Sequence, residues 1–271
     1  MYTKISVLFL FVLFYALMQL VYRIRHSVLY NPCKLDALDC SPLPDKTLFH
    51  TYIRTYDDRD LLSVVQHRHL DTDNVTVFTH GNFGNINDYY FLFDLIPSLV
   101  IWDYRGYGRS TGVPDERYNA VDLAAIIPKS PEHITLVAHS LGTNVVMNYL
   151  DKARRHGFKR PSQVILIHPF LRFSDVATHV TSSWLSGALA YLTGNMDECN
   201  SVQSYINQFP ETKFIICYST RDRITPARPV VEFFSQFKNI QLYNIGGEHH
   251  SILHNKKLFD ILQNKCSLVS G

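Results

Sequence analysis

Cysteine is scarce in this chain and badly spaced for chemistry. The five cysteines, at positions 33, 40, 199, 217 and 266, include no C-x-x-C pair, which excludes a zinc ribbon and a thioredoxin-type centre. Charge is thin as well. Only 18% of the residues are charged and the net charge is +2, with both signs scattered, so there is no basic stripe for nucleic acid. No repeat or low-complexity tract is visible, and the thirteen histidines are dispersed, which favours surface and core roles over a metal cluster. Apolar residues are plentiful: 46% of the chain is hydrophobic, with 17 Phe and 16 Tyr. A chain of 271 residues so composed can bury one large core without staples, and disorder is excluded. Cys33 and Cys40 suit a small loop disulfide only in an oxidising compartment.

Apolar residues are concentrated first at the N-terminus. "ISVLFLFVLFYALMQLVY", Ile5 to Tyr22, runs 18 positions without a charged side chain, near the minimum of about 17–25 residues that spans a bilayer. A cleaved signal peptide usually has a shorter apolar core that ends in small residues. Here the run ends in "QLVYRIRH", so residues 1–25 are expected to be a retained single-pass anchor, with Tyr22, Arg23 and Arg25 at one interface. Lys4 and the amino terminus balance Arg23 and Arg25, leaving the side that carries the folded domain undecided. The sequon Asn74-Val75-Thr76 abuts an expected core strand. Residues 26–45, with Pro32, Pro42 and Pro44, read as a turn-rich linker.

From residue 46 to 271, short apolar runs alternate with helical patterns. "TLFHTYIRTYD" and "LLSVVQHRH" fit two strands around the turn Asp57–Asp60. "VTVFTHG", "LVIWDYRG", "HITLVAHS", "QVILIHPF", "KFIICYS" and "IQLYNIGG" fit six more. Between them, "INDYYFLFDLIP" predicts a helix capped by Asn87 or Asp88, "DERYNAVDLAAIIP" another, and Leu141 to about Arg155 a third that stops before Gly157. Strands separated by helices of ten or more residues imply crossover connections. The expected fold is therefore α/β, a mostly parallel, doubly wound sheet with helices on both faces.

In this frame "LVAHSLG" falls at a strand-to-helix junction, with Ser140 at the turn and the small residues Ala138 and Gly142 two positions to either side. Such a turn lifts a serine Oγ above the sheet as a nucleophile; the plain alternative is a serine that merely caps a helix. Acyl transfer also needs a base and an acid that orients it. Asp222 in "TRDRITP" and His249 in "GGEHHSI" each follow a strand, in the chain order Ser, Asp, His.

From about Phe49 to the C-terminus the sequence resembles the α/β-hydrolase superfamily. "HGNFGN" at 80–85 looks like its oxyanion loop and "WDYRGYGRSTG" at 102–112 like the segment after its fourth strand. With the anchor and the "LYNP" junction, the chain is similar to membrane-anchored α/β-hydrolase-domain serine hydrolases. The resemblance implies Ser140 as nucleophile, His249 as general base and then acid, and Asp222 as the carboxylate orienting it. It implies the backbone N–H of Leu141 as one oxyanion donor and that of Asn82 or Phe83 as the other, and no metal or organic cofactor. Ala138 replaces the usual glycine of the elbow, and the doubled histidine leaves open whether His250 assists.

The remaining candidates have lesser roles. Asp175 is the backup acid, His139 an elbow-flanking residue, His80 a loop anchor, and Asp103 and Arg105 a structural ion pair or turn-holding hydrogen bonds. Residues 171–209 break the strand–helix rhythm and are expected to form a small apolar cap over the site, with ordinary core-packing helices as the alternative. The expected function is hydrolysis of an ester or thioester of a lipid, or of an acylated small molecule or protein, beside a membrane. A non-catalytic binding protein and a peptidase or amidase on the same residues are the alternatives.

Overall fold

A computed structural model describes residues 2–35, 43, 45–71, 73–129, 132–192 and 199–267. Helix α1 (Tyr2–Leu29) precedes the short strand β1 (Asn31–Pro32). The strands β2 (Leu48–Arg54), β3 (Leu61–His67), β4 (Asn74–Thr79), β6 (Leu99–Trp102), β7 (His133–His139), β8 (Gln163–Ile167), β9 (Lys213–Tyr218) and β10 (Ile240–Asn244) build one sheet. Its order is β10-β9-β8-β7-β4-β6-β3-β2. The contacts of β2 with β3 and of β3 with β6 are antiparallel, and the others are parallel. Every residue of β6 and β8 is buried, as expected of strands covered on both faces. The two faces carry separate apolar clusters, one around Trp102, Tyr149 and Phe234, the other around Phe78, Leu92 and Leu262.

Helices α2 (Glu116–Ile126), α3 (Leu141–His156), α7 (Ala227–Phe234) and α8 (Lys256–Cys266) accompany the sheet. Helix α3 ends where Gly157 takes a left-handed φ of 70°, and Arg154, Arg155 and His156 in its last turn complement the helix dipole. The segment expected to be a helix after "HGNFGN" is a 3-10 helix, Ile86–Asp94. Its cap is Asn85, not Asn87 or Asp88. The Asn85 side chain accepts from the Asn87 N–H and the Asp88 carboxylate accepts from the Asn85 N–H, a reciprocal capping box that starts the helix earlier. Within 171–209 lie α4 (Phe173–Thr181), α5 (Trp184–Leu192) and α6 (Cys199–Gln208). Helices α4 and α5 pack on each other, whereas α6 packs against α3.

The first 35 residues depart from the expected linker. Among the described residues no helix is long and apolar enough to cross a membrane; the side chains of residues 5–8 and 10, inside the apolar run, lie outside them. The stretch read as a linker is helical to Leu29, and Leu29 and Tyr30 are buried. Strand β1 then pairs in parallel with β5 (Phe83–Gly84). Apolar contact and backbone pairing thus tie residues 29–35 to the folded domain, while most of 36–45 lies outside the described residues. Cys33 is an exposed free thiol, and Cys40 lies outside them too.

Candidate active site

Four polar side chains come together at the C-terminal ends of the parallel strands, where open α/β sheets leave their crevice. Ser140 follows β7, His168 β8, Asp222 β9 and His249 β10. Ser140 has φ 52° and ψ −118° and makes no side-chain cap hydrogen bond to α3, so the helix-cap reading does not hold. The turn is pinned from three sides. Ser140 N–H donates to the Ile167 carbonyl at 2.9 Å, and Thr143 Oγ1 donates to the Ser140 carbonyl at 2.6 Å. Gly142 passes so close to β4 that a Cβ there would overlap the Thr79 carbonyl oxygen and lie 2.7 Å from that of His80.

His249 Nε2 lies 2.9 Å from Ser140 Oγ and its Nδ1 lies 2.7 Å from Asp222 Oδ2. The other Asp222 oxygen accepts from the N–H groups of Ile224, at 2.7 Å, and Thr225, at 3.0 Å. Thr225 Oγ1 adds a 2.6 Å bond to Oδ2. Burial alone would raise the Asp222 carboxyl; the contacts from His168 and His249, the His249 charge and the Thr225 hydroxyl outweigh it and hold the group well below the usual carboxylate range. Burial is also the largest influence on His249 and lowers its proton affinity, against the opposing pull of Asp222. The result is a neutral imidazole between a hydroxyl and a carboxylate, with Nδ1–H donated to Asp222 and Nε2 free to accept.

Helix α3 points its N-terminus at Ser140, so the Leu141 N–H and the helix dipole favour negative charge beside Oγ. Asn82 and Leu141 line the same cavity as Ser140, a space of about 530 Å3 walled by Phe173 and Val176 of α4 and Leu189 of α5. Phe83 does not line it and is 63% exposed.

The other expected residues separate into supports. Tyr89 Oη lies 3.3 Å from His139 Nδ1, and burial, then the neighbouring histidines, push His139 well below the usual value. His80 Nδ1 bonds the Gly81 carbonyl at 2.7 Å, and burial lowers its pKa to about 4. Asp103 and Arg105 are not paired with each other. Asp103 accepts from the Ile86 N–H at 2.9 Å, and burial raises its pKa to about 8. Arg105 binds Asp122 with two nitrogens, at 2.7 and 2.8 Å, and also reaches Asp57 and Asp60. Asp175 lies in the first turn of α4, while His249 is engaged by Asp222. His250 is exposed and stands edge-on to His249.

One site residue escaped the sequence reading. His168, fully buried with φ 50°, places Nδ1 2.7 Å from Asp222 Oδ2, off the hydrogen-bond line. Its signal was its position directly after the strand "QVILI", at the same sheet end as Ser140 and Asp222. The fold also gathers histidines that are dispersed in sequence: His139, His168 and His249 bring ring nitrogens within 4.8 Å of one another, a set that could hold a metal ion. In His249 both nitrogens are already engaged by Ser140 and Asp222.

The sheet order, the strained serine turn and the Ser–His–Asp chain define the architecture of α/β hydrolases. Residues 76–211, half of the chain, match the alpha/beta hydrolase family, and the protein belongs to that family. It is 25% identical over 259 residues to protein R595 of Acanthamoeba polyphaga mimivirus, covering 84% of this chain and 87% of that one. Over 114 residues it is 32% identical to the lysophosphatidylserine lipase ABHD12 of Danio rerio, covering 38% of this chain and 30% of the lipase. The esterase Pf2001 of Pyrococcus furiosus shares its fold with a TM-score of 0.63, over 87% of this chain and 95% of the esterase, at 17% identity.

Proposed function

We propose that this protein is a serine hydrolase that cleaves a carboxylic ester or thioester of a lipid or acylated substrate through an acyl-enzyme. The observation that carries the reading is the unbroken chain from Ser140 Oγ through His249 to Asp222, at 2.9 and 2.7 Å, on a serine held at positive φ. Ser140 Oγ attacks the acyl carbon while His249 Nε2 takes its proton. The oxyanion meets the N–H of Leu141 and a donor of the Asn82–Phe83 loop; loss of one such donor typically costs about 2.7–4 kcal/mol of transition-state stabilisation. His249 then returns the proton to the departing alcohol or thiol, leaving Ser140 acylated. Water, deprotonated by His249, releases the acid and restores the serine.

Two features support an apolar acyl group and a membrane setting. The cavity beside Ser140 is walled largely by aliphatic and aromatic side chains from α4 and α5, the helices we read as the cap. Helix α1 leaves Phe9, Phe11, Phe14, Leu17 and Leu20 exposed, a surface suited to an anchor in lipid. Labelling by a fluorophosphonate tests the chemistry. The full chain in detergent is expected to label, and Ser140→Ala and His249→Ala to lose labelling while keeping their circular dichroism. A folded wild type that does not label would favour a non-catalytic binding protein.

A further inference from the structure

The "LYNP" junction, residues 29–32, has no part in the chemistry above, yet it is built into the site. We propose that the segment Val28–Pro32 is a working part of the active site, bracing the oxyanion loop with its backbone and walling the acyl cavity with its side chains. The proposal rests on the serine-hydrolase reading.

The brace is a set of hydrogen bonds focused on Asn82. Its carbonyl accepts from the Asn31 N–H at 3.0 Å and from Tyr107 Oη at 2.8 Å. Asn31 N–H also reaches Tyr107 Oη, at 3.1 Å, closing a small ring of three groups. The Asn82 side chain donates to the Val28 carbonyl at 3.3 Å, and one step on Cys33 N–H donates to the Gly84 carbonyl at 3.2 Å. A trans peptide is planar, so its carbonyl and N–H point in opposite directions. Holding the Asn82 carbonyl toward Asn31 and Tyr107 therefore fixes the Phe83 N–H on the other side and sets the orientation of the loop beside Ser140.

The segment is itself held firmly enough to act as a brace. Leu29 and Tyr30 are buried, Asn119 Nδ2 donates to Tyr30 Oη at 3.0 Å, and His26 Nε2 lies 2.8 Å from the Pro114 carbonyl. The wall is equally direct. Val21, Val28 and Leu29 line the cavity that holds Ser140, together with Val176 and Leu189 of the cap helices. An acyl chain seated there contacts α1 on one side and α4–α5 on the other, so α1 side chains help to set its length.

Phosphonylation rates of the full chain in detergent, with short-alkyl and hexadecyl fluorophosphonates, test both parts. Val28→Trp is expected to slow the hexadecyl probe about tenfold and the short probe little, because a bulky ring in the wall excludes only the long chain. Tyr107→Phe and Asn31→Pro, which each remove a donor to the Asn82 carbonyl, are expected to slow both probes alike by about tenfold through a misplaced loop. Using two brace variants guards against one failing to fold. If wild type labels and Val28→Trp shows no change in chain-length preference, or folded Tyr107→Phe and Asn31→Pro label at the wild-type rate, the proposal is overturned. An unlabelled wild type instead overturns the serine-hydrolase reading beneath it.

Discussion

Ser140 carries backbone strain. A non-glycine residue at φ 52° and ψ −118° costs on the order of 1–3 kcal/mol, so Ser140→Gly should melt higher than Ser140→Ala by about 1 kcal/mol in thermal unfolding. Equal melting of the two would deny the strain. His249 must be neutral to act as a base, and burial lowers its pKa from the usual 6.5. Labelling should therefore be flat through neutral pH and fall only as pH drops through a value below 6.5. An acidic limb centred above that value would mean that Asp222 outweighs burial. That Ser140, Asp222 and His249 meet was legible in sequence because each follows a short strand with a distinctive local motif. His168 was not, since nothing local in "IHPF" records that β8 and β9 are neighbours.

At the scale of elements, Arg105 ties its own loop to two segments: α2 through Asp122, and the turn between β2 and β3 through Asp57 and Asp60. Asp122 is fully buried. Arg105→Ala would strand that carboxylate, and removing one partner of a buried pair costs about 3–5 kcal/mol. Denaturant unfolding of Arg105→Ala should show a loss of this size, and a loss under about 1 kcal/mol would show that water replaces the guanidinium. The sequence placed the strands of the main sheet and the helices α2 and α3 because short apolar runs and glycine stops are local signals, and it named neither α7 nor α8. It misjudged residues 26–35 because prolines mark turns whether or not the neighbouring residues pair with a distant loop.

For the whole molecule, the apolar surface is uneven. Trp102 is buried in the sheet, whereas Trp184 at the start of α5 is 78% exposed, with Leu185, Tyr191 and Leu192 also exposed. These are the chain's two tryptophans, so their fluorescence separates the sheet core from helix α5. In vesicles containing brominated lipid, the full chain should lose Trp184 emission and retain that of Trp102, and Trp184→Phe should abolish the quenching. Unquenched wild type bound to vesicles would place the cap away from the bilayer.

The order of apolar and polar residues was enough to specify an α/β sheet, a serine at a strand-to-helix turn, and an acid and a histidine at later strand ends. Those features depend on side-chain periodicity and on glycine and proline, which act within a few residues. Convergence of His139, His168 and His249, and the docking of residues 28–33 on the oxyanion loop, depend on strand order. Strand order is set by how the two sheet faces bury their apolar clusters, a long-range balance that no short stretch of sequence encodes.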